Sequence, residues 1–105
     1  MKENDISLDL SRNIAKVTYD DLPPEAIQCT KKCILDTLGV TVAGGALVDG
    51  PSRIVDLVKE WGGKEESTII GYGGKVPCVM AAFANGAMAH ALDYDDTLDT
   101  GFLHT

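Results

Sequence analysis

The stretch from Cys33 to Val40 reads Cys-Ile-Leu-Asp-Thr-Leu-Gly-Val. Wound as a helix it is apolar on nearly every side, and such a helix has to be buried over most of its surface. It belongs to a longer helical pattern running from Pro24 to about Ala43. Within it, Ile27, Ile34, Leu38 and Thr41 share one side, and Cys33, Val40 and Ala43 widen the apolar face. Pro24 suits a first helical turn, where a missing N–H costs nothing. Gly44 and Gly45 mark the expected end. A chain of 105 residues can build one modest core. A helix this apolar strains that capacity, so the sequence predicts either association or a large exposed apolar patch.

Three more helices follow from spacing. Ile6, Leu10, Ile14 and Val17 recur at steps of four, four and three, one apolar stripe on a helix over about residues 7–18. Asp20 through Pro24 interrupt it. A third helix runs from Pro51 to Trp61, with Ile54, Val55, Leu57, Val58 and Trp61 on its apolar face and Gly62 and Gly63 after it. A fourth runs from about Pro77 to Leu92 and is rich in alanine and glycine. Between these, Ser67-Thr68-Ile69-Ile70-Gly71-Tyr72 is β-prone, and Gly73, Gly74 and Pro77 signal a turn. The fold class expected is mainly α, with one short extended segment near residues 67–72.

Composition removes several function classes. A net charge of −7 argues against nucleic acid, whose phosphates need a basic surface. No apolar run approaches the roughly 20 residues that span a bilayer. The polar start lacks the order of a secretory signal. A cytoplasmic protein with no membrane partner is expected. Three cysteines, Cys29, Cys33 and Cys78, are an odd count that fits a reducing compartment. Cys29 and Cys33 lie four apart in the apolar pattern and read as buried structural thiols rather than metal ligands.

The fourth helix carries the chemistry. Continued by one turn, it places His90, Asp93 and Thr97 at steps of three and four, on one face. Asn85 and Gly86 precede them on about the same side, Asp96 adjoins Thr97, and His104 follows a short loop. An imidazole, carboxylates and a hydroxyl at one helix end suit acid–base work, and neighbouring carboxylates such as Asp93 and Asp96 push each other's pKa values apart. From Val76 to Thr105 there is no Lys or Arg beside four aspartates, which reads as a solvated acidic loop or as a carboxylate cluster that takes its cations from another part of the fold or from a metal. Spacing alone leaves other readings open. Asp95 and Asp96 could cap a following helix, a lone helical histidine is more often structural, and His90, Asp93, Asp96 and His104 could bind a divalent cation in a hydrolase.

The segment Ala84-Asn85-Gly86-Ala87-Met88-Ala89-His90-Ala91-Leu92-Asp93-Tyr94-Asp95-Asp96-Thr97 is similar to the most recognisable motif of the MmgE/PrpD family. Ile34-Leu35-Asp36-Thr37-Leu38-Gly39-Val40, followed by Ala43-Gly44, resembles that family's early helix, and the two occur in the expected order. The resemblance implies that residues 1–105 form part of an N-terminal helical domain of a longer, homodimeric enzyme, with the rest of that domain and a lid domain lying beyond. It implies a lyase without cofactor or metal, acting on small di- or tricarboxylates as 2-methylcitrate dehydratase or cis-aconitate decarboxylase does. Iminodisuccinate epimerase-like isomerisation, or an inactive helical interaction module of the same fold, are the alternatives.

By the same resemblance Asp93, Thr97 and His104 match catalytic positions, although members usually show His-Pro where this chain has His104-Thr105. His90, Asp96, Asn85 and Gly86 match positions that support the site or bind substrate, with Asn85 and Gly86 expected to allow tight helix packing.

Overall fold

The structure, a computed structural model, describes residues 5–94. It is mainly α, with one small two-stranded sheet. The elements are α1 (Ile6–Lys16), a single 3-10 turn (Tyr19–Asp21), α2 (Pro24–Leu47), α3 (Asp49–Trp61), β1 (Ser67–Thr68), β2 (Lys75–Val76) and α4 (Cys78–His90). The chain divides into two compact units, residues 1–31 and 32–105.

In the first unit, Asp5 starts α1 by accepting the Ser7 N–H at 3.0 Å on its side chain. The stripe seen in the sequence is present, but no residue of α1 is buried; Ile6, Leu10 and Ile14 all lie exposed. Beyond α1, the Asp21 carboxylate takes the Thr18 backbone N–H at 2.9 Å and the Thr18 hydroxyl at 2.8 Å. These bonds favour the ionised acid, the backbone one most, and hold the Asp21 carboxyl below its ordinary pKa. Pro23 O then accepts from Ala26 and Ile27 as α2 begins.

The second unit owns the core. Val55 and Val58 of α3, Ile69 after β1, Val76 of β2, and Ala81, Ala84 and Met88 of α4 are buried together, with Ile54, Ile70, Tyr72 and Met80 packed around them. Removing each large apolar side chain from water contributes roughly 1.5–3 kcal/mol, so α3 packing on α4 is the main source of cohesion. The sheet is antiparallel, pairing Ser67 with Val76 and Thr68 with Lys75. It is shorter than the extended run expected over 67–72. After Ile69 the chain turns at Ile70–Tyr72, where Gly71 has φ 79°, and the Ile70 N–H bonds to the side chain of Asn85 rather than to a strand.

Several helix ends differ from the sequence reading, and α1 closes at Lys16 rather than near Thr18. α3 starts two residues earlier, at Asp49, with Pro51 inside its first turn, where proline is tolerated. α4 stops at His90 rather than Leu92. α2 does not stop at Gly44 and Gly45 but runs through both to Leu47. The two glycines serve close approach instead of termination. A Cβ on Gly44 would collide with the Met88 backbone carbonyl, and one on Gly45 would lie 2.7 Å from Met88 Sδ. Gly86, expected to pack tightly, has among the described residues no neighbour within 4 Å of where its Cβ would be.

The apolar helix meets the fate its composition implied. Among the described residues, α2 buries only Thr41 and Gly44, while Ile34, Leu35, Leu38 and Val42 stay exposed, Leu35 at 71%. Cys29 is exposed and Cys33 half-buried, so the expected buried thiols are not found.

Two measurements check this account. Gly44→Ala should lower stability by about 1–3 kcal/mol, because backbone cannot yield to the new methyl. Gly86→Ala should instead raise it by about 0.5–1 kcal/mol, both read as thermal midpoints. The Thr18–Asp21 turn should be fully stabilised above the ordinary carboxylate range and loosen as pH falls through the lowered value. Amide exchange at Thr18 across an acid titration reads it directly.

Candidate functional site

The C-terminal end of α4 presents the side chains singled out by sequence. His90 is its last helical residue and is exposed. Ala91 keeps right-handed angles and its N–H reaches Met88 O at 3.3 Å. The Asp93 N–H then closes back on His90 O at 3.0 Å, and Asp93 itself adopts φ 56°. Among the described residues Asp93 is the one non-glycine with positive φ.

That angle changes the expected geometry. A continued helix would have stacked Asp93 one turn above His90. The chain instead leaves the helix between them, so the two come together in a tight turn and not on one helical stripe. Asp93 and Tyr94 are both exposed, Tyr94 at 73%. Asp96, Thr97 and His104 lie outside the described residues, as do Asp96 and His104 of the alternative metal-ligand set.

Two costs are concentrated at Asp93. A left-handed backbone with a side chain is strained by about 1–2 kcal/mol, less for Asp than for most residues because its carboxylate bonds locally. A carboxylate at a helix C-terminus also faces the negative end of the helix dipole. Glycine would remove both. The acid side chain thus stands on a backbone that glycine would adopt more easily.

The remaining motif residues build the platform. Asn85 is half-buried, and its carboxamide is committed to backbone: Oδ1 accepts from Ile70 N–H at 3.0 Å and Nδ2 donates to Thr68 O at 3.1 Å. It thus supports the helix rather than offering its full polarity to a ligand. Gly86 is exposed on α4. A partner was missed by sequence reasoning: Tyr72 Oη donates to Gly45 O at 2.6 Å, joining the turn to the end of α2. The available signal was a Gly-Gly pair inside an otherwise continuous apolar run, which marks close approach as readily as termination. Beside this bond lies a cavity of about 310 Å³, lined by Val42, Gly45, Ala46, Ile70, Gly71 and Tyr72. Its lining includes neither His90 nor Asp93, so it is not where acid–base chemistry would occur.

Among the described residues, the helical layer closes with α4, which ends in an exposed imidazole followed by a left-handed acid turn. The sequence profile of the MmgE/PrpD N-terminal domain matches residues 8–105. The chain therefore belongs to the MmgE/PrpD family. Among curated proteins and solved structures, none matches it.

Relief of strain gives a direct check on the turn. Asp93→Gly should stabilise the protein by up to about 1 kcal/mol, whereas Asp93→Val should destabilise it by about 1–2 kcal/mol. Asn should be near neutral. Denaturant midpoints at neutral pH rank the three variants, and a destabilised Gly variant would contradict the strain assignment.

Proposed function

We propose that this chain forms the N-terminal helical part of a lyase that acts on small di- or tricarboxylates, most simply as a hydro-lyase, through side-chain proton transfer without a cofactor. The observation that carries the reading is the Asp93 turn. An acid is held at a helix end in a conformation glycine would adopt more easily, within a segment that belongs to the MmgE/PrpD N-terminal domain.

The chemistry follows from the residue types. Dehydration or decarboxylation of a polycarboxylate needs one group to take a proton and another to return one. Asp93 and His104 are suited to that exchange, and the Thr97 hydroxyl to holding a substrate oxygen. His90 and Asp96 orient or hydrogen-bond their neighbours. The substrate brings two or three negative charges to a segment with no Lys or Arg from Val76 onward. Repulsion between like charges must therefore be offset by cations delivered from outside that segment.

The exposed side chains of Ile34, Leu35, Leu38 and Val42 on α2 support a larger assembly, and a homodimer is the form proposed. Localisation in the cytoplasm accompanies the reading.

Turnover by the protein expressed from its complete gene, assayed against 2-methylcitrate, cis-aconitate and related polycarboxylates, tests the proposal. At least one should be consumed, and Asp93→Asn should cut kcat by about 10²–10⁴-fold without unfolding the protein. The 105-residue chain alone should turn over none of them. Full activity in the Asn variant, or no substrate in the panel, would sink the reading.

A further inference from the structure

What fixes the height of α4, and with it the turn at its end, is not evident from the core. The face α4 turns to Val55 and Val58 of α3 carries Ala81, Ala84 and Met88. Alanine methyls present a smooth surface, and apolar contact is non-directional. Such packing holds the helix down while resisting sliding along its axis only weakly. Directional bonds have to supply the register.

Asn85 supplies them. Its carboxamide makes the two bonds that the backbone of an adjoining strand would make, accepting from Ile70 N–H and donating to Thr68 O. Thr68 still pairs with Lys75 of β2, so the side chain adds a bond at Thr68 and reaches Ile70 beyond the end of β1. The same turn is tied to α2 by the Tyr72 hydroxyl on Gly45 O. α2 in turn receives Met88 of α4 over Gly44 and Gly45. These ties close a ring from α4 through the turn and α2 back to α4. A helix is stiff along its axis, and His90 at the end of α4 lies only about 7.5 Å beyond Asn85 at 1.5 Å per residue, with the Asp93 N–H bonded back to His90 O. A shift at one is carried to the other.

We infer that Asn85 is a positioning residue, setting the axial register of α4 and thereby the placement of the Asp93 turn. Its catalytic consequence rests on the proposed function; its mechanical content does not.

Asn85→Ala in the protein from the complete gene tests it, with amide hydrogen exchange as the first readout. The amides of Ile70 and Asp93 should exchange faster together, each by about tenfold or more, while those of Val55 and Val58 change by less than about twofold. Faster exchange at Ile70 with Asp93 unchanged would overturn the inference, reducing Asn85 to a local staple of the turn. Should the Ala variant fail to fold, Asn85→Asp keeps the size and the acceptor for Ile70 but removes the donor to Thr68. The same paired response, smaller in amplitude, is then required.

Kinetics add a second readout that a merely structural role would not move. Well below the melting temperature, kcat per folded molecule should fall about ten- to a hundredfold, with KM within about threefold of the parent. An unchanged kcat per folded molecule, beside a lowered melting temperature, would count equally against it. If the parent protein turns over no polycarboxylate, the functional reading fails by itself, and the exchange result alone decides the role of Asn85.

Discussion

The close approach of Met88 to Gly44 and Gly45 is the constraint that ties α2 to the α3–α4 core of the second unit. Two glycines in consecutive positions of a long helix weaken that helix locally, at about 1 kcal/mol each relative to alanine. The cost is offset because nothing larger lets α4 come so near. With α4 drawn against α2 at this point and packed on α3 through small side chains, the Ile70–Tyr72 turn can reach both helices with hydrogen bonds. Position, not extra burial, is what the glycines provide.

The distribution of apolar surface is the second organising fact. The buried cluster lies in the second unit, on α3, α4 and the short sheet, while the sequence's most apolar helix leaves Ile34 and Leu35 in solvent. Charge is divided as unevenly, with aspartates gathered after α4 and no cation from Val76 onward. Both imbalances point the same way. Exposed apolar side chains on α2 and an acidic stretch with no Lys or Arg in its own sequence are features whose cover and counter-charge would come from other parts of the fold.

Much of the architecture was legible. Periodicity located all four helices, because each carries an apolar stripe or a small-residue run that a 3.6-residue repeat exposes. The family, too, could be read from Ala84 to Thr97 and is upheld by the match over residues 8–105. What sequence could not resolve were the roles of individual glycines. Gly44 and Gly45 look like a helix stop and act as a seat, whereas Gly86 looks like a seat and is open. A glycine records that no side chain is present, and the reason lies in a partner distant in the chain. The same limit applies to Asp93. Spacing from His90 places it on a helical face only if the helix continues, and the energy that ends the helix at His90 resides in a local turn with no periodic signature. Asn85 was noted for its place in a motif, yet its bonds to Thr68 and Ile70 depend on how the hairpin folds back.

The left-handed turn at Asp93 also limits how this position can vary over time. Asparagine and glycine tolerate such a backbone, but neither supplies an acid. Glutamate retains the acid, yet its longer chain is less suited to the local backbone bonds that let Asp tolerate this region, and it would carry the carboxylate farther from the helix end. Among the acids, the left-handed backbone at this position therefore favours the shortest.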